Sequence, residues 1–149
     1  MYNVGYLLIC EDIVKAGNKQ TIILNPANQI EVDEFPATKA IKIGASLVAD
    51  IREKSLPLPD VEISIIFKDP EGDIIHEVNS DMVAQPPQTE EGKYSFATAS
   101  ISMNFKEVEF KTKGMHKIEV LVNQVKKKEL LFPVTPKVGS IESDENGKS

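Results

Sequence analysis

The chain has 149 residues and a formal net charge of -6, and hydrophobic residues make up 41% of it. This length suits one domain and allows a hydrophobic core without a metal or disulfide staple. The acidic balance argues against the broad positive field of a non-specific nucleic-acid binder, and a lone cysteine excludes an internal disulfide and a zinc site built from several cysteines.

The first third of the chain alternates apolar runs with turn residues, which predicts strands. Residues 2–10 form a nearly continuous apolar run and are expected to be a buried strand. Residues 11–16 are the best helical candidate, although they are few. The Phe35-Pro36 pair is typical of a loop that turns an aromatic side chain inward. A turn is expected at 18–19, and further strands at 20–24 and 29–32.

The middle of the chain has the clearest period-two pattern. Residues 39–50 and 61–68 place apolar side chains at every second position, so each predicts a strand with one buried face. The turn sequence Asp69-Pro70-Glu71-Gly72-Asp73 and a return strand at 74–78 predict a hairpin. Residues 51–60 contain two prolines two positions apart, which excludes a helix or a central strand there.

The last third predicts strands joined by loops. Residues 79–92 are expected to be an exposed loop, and 94–105 a long strand whose serines and threonines face solvent. Residues 106–113 fit a single helical turn or a short edge strand. Residues 116–122 and 130–134 alternate around a turn and predict a closing hairpin.

Eight or nine short strands separated by turns predict an all-β fold, a two-sheet antiparallel sandwich. We expect one domain at 1–136 and a flexible tail at 137–149, where serine, glycine and charged residues dominate. The start of the chain has no basic region, and its apolar run is too short to span a bilayer. These features favour a cytoplasmic protein without a membrane segment.

Three segments resemble a family of small uncharacterised bacterial proteins classed as a domain of unknown function. They are the opening Tyr6-Leu7-Leu8-Ile9-Cys10-Glu11-Asp12, the Phe35-Pro36 loop that leads into 39–47, and the ending from Gly114 to Phe132-Pro133-Val134. The resemblance implies an immunoglobulin-like β-sandwich in a protein of bacterial or phage origin. It implies no activity and no catalytic residues.

Nucleophilic and zinc chemistry have few candidate residues. Cys10 ends an apolar strand and has two acidic neighbours, which raise a thiol pKa, so a structural role is expected. His76 and His116 are the only histidines and lie on predicted strands. A strand-borne histidine is more often a surface or hydrogen-bonded core residue than a metal ligand, and zinc needs three or four ligands.

Two charged clusters deserve a functional and a structural interpretation. Asp69, Glu71 and Asp73 surround Gly72 and are candidate calcium ligands, but the spacing lacks the twelve-residue loop of an EF-hand, and a plain hairpin turn is favoured. The lysines at 126–128 are candidates for contact with phosphate or an acidic partner. The structural interpretation is a solvated turn that hinders edge-to-edge aggregation.

Taken together, these patterns favour a non-catalytic protein-interaction module that binds a protein partner through edge strands or end loops. We expect no catalytic residues, no metal, no cofactor and no nucleic-acid partner, while the sequence leaves the oligomeric state open. One alternative is a structural component of a phage particle or secretion assembly. Another is a small enzyme whose site is assembled from distant loops, for instance Asp81, Glu90 and His76.

Overall fold

The computed structural model describes residues 2–16, 20–50, 61–82 and 96–137. These residues form nine strands and no helix. The strands are β1 (Tyr2–Ala16), β2 (Gln20–Ala27), β3 (Ile30–Val32), β4 (Ala37–Asp50), β5 (Val61–Lys68), β6 (Ile74–Met82), β7 (Phe96–Phe110), β8 (Gly114–Val122) and β9 (Val125–Pro136). The all-β prediction is therefore confirmed, and nine strands lie within the expected range. Within the described ranges, no helix is long and apolar enough to cross a membrane.

The strands form two sheets. The four-stranded sheet has the order β2-β1-β4-β7 and is antiparallel throughout. The five-stranded sheet has the order β3-β9-β8-β5-β6 and is curled. The expectation of a purely antiparallel fold is wrong at one place, because β3 runs parallel to β9, with Ile30 opposite Val134. A parallel neighbour needs a long connection, which β4 to β8 provide.

The core lies between the two sheets. It forms because alternate residues of each strand point to the same side. Ile63, Ile65 and Phe67 of β5 are buried, and so are the residues that lie opposite them on the central strand β8. On the four-stranded sheet, alternate residues of β4 from Ile41 to Ala49 are buried in the same core. Phe35 packs against this core, as the sequence predicts. The peptide bond between Phe35 and Pro36 is cis.

Two short segments differ from their predicted structure. Residues 11–16 are not helical, because Asp12, Ile13 and Val14 pair in register with β2 and continue β1. Residues 106–110 form neither a helical turn nor a separate strand. They extend β7, since Phe110 pairs with Ala37 of β4. In both places pairing with another strand decides the local structure: residues 11–16 pair with the next strand along the chain, and residues 106–110 pair with a strand distant in sequence.

Some predictions concern residues that the structure describes only in part. Residues 79–82 belong to β6 rather than to a loop, and 83–92 lie outside the described residues. The segment 51–60 and the turn at 18–19 lie outside them as well. So does the expected flexible tail, except for Lys137, whose backbone N–H donates to the carbonyl of Val32 over 2.9 Å.

Candidate interaction surface

The outer face of the five-stranded sheet carries a network of ion pairs, which we call the Glu119 network. Glu119 lies on β8, the central strand, and is only 7% exposed although its side of the sheet faces solvent. Its carboxylate contacts Nζ of Lys68 at 2.9 Å and Nζ of Lys126 at 3.2 Å. Lys126 also pairs with Glu129, which lies 3.6 Å from Lys117. The network therefore joins β5, β8 and β9.

The charges in the Glu119 network are compensated within it. Burial acts to raise the pKa of Glu119, but hydrogen bonds from Lys68 and Lys126 outweigh it, so the pKa is lowered. The hydrogen bond to Glu129 is the main cause that raises the pKa of Lys126. These groups stay charged at neutral pH and satisfy one another. Such an arrangement covers the sheet and leaves little unpaired charge for a ligand.

Large apolar side chains on this face are separated from one another. Ile74, Met115 and Leu131 are each about half exposed. Across the sheet, Ile74 lies opposite Lys68, Lys68 opposite Lys117, and Lys117 opposite Leu131. Two lysines therefore separate Ile74 from Leu131. Scattered exposed apolar residues are normal on protein surfaces. This face does not present a continuous apolar patch.

The lysines at 126–128 lie on β9 rather than in an open turn. Lys126 is occupied by Glu119 and Glu129, as described above, and Lys128 is exposed. At these residues β9 pairs with β8 on one side, whereas its described pairing with β3 begins at Val134. Lysine on such an exposed stretch hinders pairing with another chain. Lys126 and Lys128 are thus engaged in ion pairs or exposed, but the three lysines lie on a strand, and the expectation of a turn at 126–128 is wrong.

The Asp69 turn is a β-hairpin, as the sequence predicts. The Asp69 carboxylate accepts hydrogen bonds from the backbone N–H groups of Glu71 and Asp73, each at 2.9 Å. Gly72 has a φ of 91°, which glycine adopts without strain. One oxygen of Asp69 is therefore used to hold its own loop. In the described part of the chain, no three His, Cys, Asp or Glu residues are grouped so as to hold a metal ion.

The two histidines lie in separate aromatic clusters. His116 is fully buried against Phe110 and Phe132, with ring centroids 5.3 and 5.9 Å away. Its Nδ1 lies 3.0 Å from the carbonyl of Gly114 and must carry the hydrogen, because a carbonyl only accepts. Its Nε2 is buried without a hydrogen-bond partner. His76 packs edge-on against Phe67 and Phe105 instead.

The hydrogen bonds described for Cys10 and His116 each go to a backbone carbonyl and do not join a histidine to a nucleophile. Cys10 is buried as a free thiol, and its Sγ lies 3.9 Å from the carbonyl of Lys42. Burial is the main cause that raises the pKa of Cys10; the charge of Lys42 acts to lower it, and that of Asp12 to raise it. The thiol is thus held in its unreactive form. Of the residues suggested for an assembled enzyme site, Glu90 lies outside the described residues.

The β7 edge of the four-stranded sheet has a composition that is unusual for an edge strand. β7 lies at this edge and pairs with β4 from Phe96 to Phe110; on its other side the described residues place no strand. Residues 96–105 contain no charge, no proline and no glycine. Natural edge strands are commonly protected by charges, proline, bulges or short length. This stretch has no charge or proline to protect it.

The side chains of β7 alternate as the sequence predicts. Thr98, Ser100, Ser102 and Asn104 are exposed on the outer face, which confirms the expected solvated side. Ile101 and Met103 are half-buried and pack against the core. The edge location could not be predicted from this pattern, because an uncharged strand is more typical of a sheet interior. Strand order depends on pairing between residues far apart in sequence.

Other edges of the two sheets carry protective features. β2 contains Pro26, which lacks an N–H group, next to Asn25 in a left-handed conformation. β6 carries the charged residue Glu77 near its middle. β3 is only three residues long. Among the described edges, β7 has the longest stretch without a charge or a proline, residues 96–105.

The strands define the class of the protein: an all-β fold of one four-stranded and one five-stranded sheet. The chain belongs to the Family of unknown function (DUF6941), whose model matches residues 5–135. The family match agrees with the resemblance noted from three segments of the sequence.

Two further comparisons add little to the family match. No curated protein matches the chain. Among solved structures, an alkylpurine DNA glycosylase AlkC from Pseudomonas fluorescens, bound to DNA containing an abasic site analog, is similar with a TM-score of 0.47 and 13% identity. The match covers 90% of this chain and 30% of that one. The chain therefore spans less than a third of that protein.

Proposed function

We propose that this chain is a protein-interaction module that binds an extended segment of a partner protein along the open edge of β7. Strand addition of this kind uses the unpaired N–H and C=O groups of an edge strand for affinity. The single observation that carries the proposal is the uncharged, proline-free stretch 96–105 at a sheet edge. Such an edge invites aggregation unless a partner covers it.

The pairing of β7 with β4 supports this proposal. β4 pairs with β7 from Ala37 opposite Phe110 to Asp50 opposite Phe96, with one shift of register between Lys39 and Ile41. Residues 96–105 pair without interruption. The buried side chains of β4, including Ile43, anchor that pair in the core. A template strand that is already ordered costs little conformational entropy when a partner binds. The partner segment alone must become ordered.

The alternation on β7 indicates which partner segments fit. An added strand places its own side chains on the same two faces of the sheet. On the outer face it lies beside Ser100 and Ser102, where small polar residues suit solvent. On the inner face it lies beside Ile101 and Met103, where apolar residues extend the core. The preferred partner segment therefore alternates apolar and small polar residues.

We also propose an immunoglobulin-like topology for the two sheets. In that fold, strands C, F and G form one sheet, and strands B and E pair in the other. β5, β8 and β9 have the neighbour relations of C, F and G, whereas β4 and β7 have those of B and E. β6 lies beside β5, as the additional strand C′ lies beside C. In this frame the open edge belongs to strand E.

Site-specific photo-crosslinking in the native host tests the proposed function. Full-length chain with Ser102→benzoylphenylalanine places the reactive group on the outer face of β7, and the matched control Ser80→benzoylphenylalanine places it on the edge strand of the other sheet. We expect a crosslinked protein from residue 102 and none from residue 80. Mass spectrometry should map the crosslink to an extended segment of the captured protein.

A blocked edge provides the control for this experiment. Thr98→Lys and Ser100→Lys, introduced together with the crosslinker at 102, add charges to an exposed face and should abolish the crosslink, since lysine hinders strand addition. Circular dichroism checks that the blocked chain is folded. A crosslink that survives the two lysines, or one that forms only from residue 80, would rule out binding along β7.

A further inference from the structure

We infer that a second copy of this chain is a partner for the β7 edge, so that two copies pair antiparallel through β7. The inference rests on the proposed function, because it names an occupant of the same edge. The pairing would join two four-stranded sheets into one continuous sheet across a two-fold axis. An interface of this kind uses the same surface of both copies and closes as a dimer.

The register of such a pair follows from the alternation of side chains. Residues opposite each other must lie on the same face of the sheet. One residue of β7 therefore lies opposite the same residue of the second copy, and the two-fold axis runs between these two. A pair centred on Ser100 sets Thr98 opposite Ser102. A pair centred on Ile101 sets Ser100 opposite Ser102 and Thr98 opposite Asn104. Both arrangements bring small polar side chains together, which favours pairing.

Charge supports the same two registers. With the centre at Ile101, the first charged residue of β7, Lys106, lies opposite Phe96. With the centre at Ser100, the pairing of the described strand ends with Asn104 opposite Phe96, before Lys106 is reached. No charged residue then faces another of the same sign within the paired stretch. Like charges directly opposite each other would destabilise a self-pair. Residues 96–105 are thus compatible with their own copy.

Burial supports a self-pair on the inner face as well. Ala99 is exposed, and Ile101 and Met103 are only half-buried in one copy. In the paired sheet each of these side chains gains an apolar neighbour from the second copy. Removing such surface from water stabilises association. The inner face therefore contributes to the pair in addition to the backbone hydrogen bonds.

The mass of the purified full-length chain tests the inference. Light scattering after size-exclusion chromatography, at about 1 to 100 µM, should give a mass that rises from 16.5 kDa towards twice that value. The double variant Ser100→Lys/Ser102→Lys should stay at 16.5 kDa at every concentration. Ser80→Lys, an exposed change on the other sheet, should behave like the unaltered chain.

A cysteine crosslink gives a second measurement that does not depend on the lysine variant folding. Ser100→Cys/Ser102→Cys should form a covalent dimer under mild oxidation with either centre. With the centre at Ile101, residue 100 lies opposite residue 102 of the second copy, and with the centre at Ser100, residue 100 lies opposite residue 100 of the second copy. Ser80→Cys should not. The native Cys10 is buried and should not react.

The possible outcomes separate this inference from the proposed function. A chain that stays monomeric throughout and forms no disulfide dimer overturns the self-pair, while a host protein captured from residue 102 would still support binding at β7. A dimer that persists in the double lysine variant also overturns the inference, since the interface then lies elsewhere. A self-crosslink from residue 102 in the host, together with the concentration-dependent mass, supports both.

Discussion

Replacing Phe132 with alanine should lower the free energy of unfolding by about 3–5 kcal/mol. Phe132 is 1% exposed on β9, and its ring lies 6.3 Å from that of Phe110 and 5.9 Å from that of His116. The substitution removes the aromatic contacts and leaves a cavity in a region that the second sheet closes. Because the neighbouring strand β8 pairs with Phe132 at His116, the backbone has little freedom to collapse into that space.

The adjacent residue provides the control for Phe132. Leu131 is 53% exposed because successive residues of a strand point to opposite faces. Leu131→Ala should cost less than about 0.5 kcal/mol. Equilibrium urea unfolding of both variants, with similar m values, measures the difference. If Leu131→Ala proves the more costly of the two, the phase of β9 is the reverse of that described here.

Replacing Gly114 with alanine should cost about 2–5 kcal/mol, from backbone strain and overpacking together. Gly114 begins β8 with a φ of 132°, a conformation that residues with a Cβ rarely adopt. A Cβ there would lie 2.9 Å from Cγ of Pro70, in the turn between β5 and β6. The change therefore meets both a conformational and a steric obstacle.

A variant at Gly72 distinguishes the effect of backbone strain from that of the steric contact. It also has a positive φ, 91°, but a Cβ at Gly72 would meet no atom within 4 Å. Gly72→Ala should therefore cost only the strain, about 1–3 kcal/mol, and less than Gly114→Ala in the same urea titration. Adding Pro70→Ala to Gly114→Ala should recover part of the loss. Equal costs for the two glycines would mean that Pro70 does not limit the space beside Gly114.

The sequence predicts the local elements well, because period-two patterns and turn residues act over short distances. The alternation from Val61 to Phe67, the turn at Asp69 and the inward side of Phe132 all follow from neighbouring residues. Residues 11–16 show the limit of that reasoning. Their pattern fits a short helix, and only pairing with β2 makes them a strand.

The candidate interaction surface depends on arrangements that local patterns do not contain. The uncharged composition of residues 96–105 is visible in the sequence, but it indicates a binding edge only once β7 is known to lie at the edge of a sheet. Glu119 is a similar case, because the alternation of residues 116–122 predicts that its side chain faces solvent. Lys68 and Lys126, from two other strands, cover it and bury it. Strand order and cross-strand contacts are long-range properties.

Amide hydrogen exchange along β7 tests the central claim, that this edge is open to a partner, most directly. In an antiparallel strand, alternate N–H groups point to opposite neighbours. In dilute full-length chain we therefore expect slow exchange at the amides of residues 96–105 that face β4 and fast exchange at the alternate ones. When the chain is concentrated, the fast amides should become protected. Uniform slow exchange along 96–105 in the dilute chain would contradict the account, because the edge would already be covered.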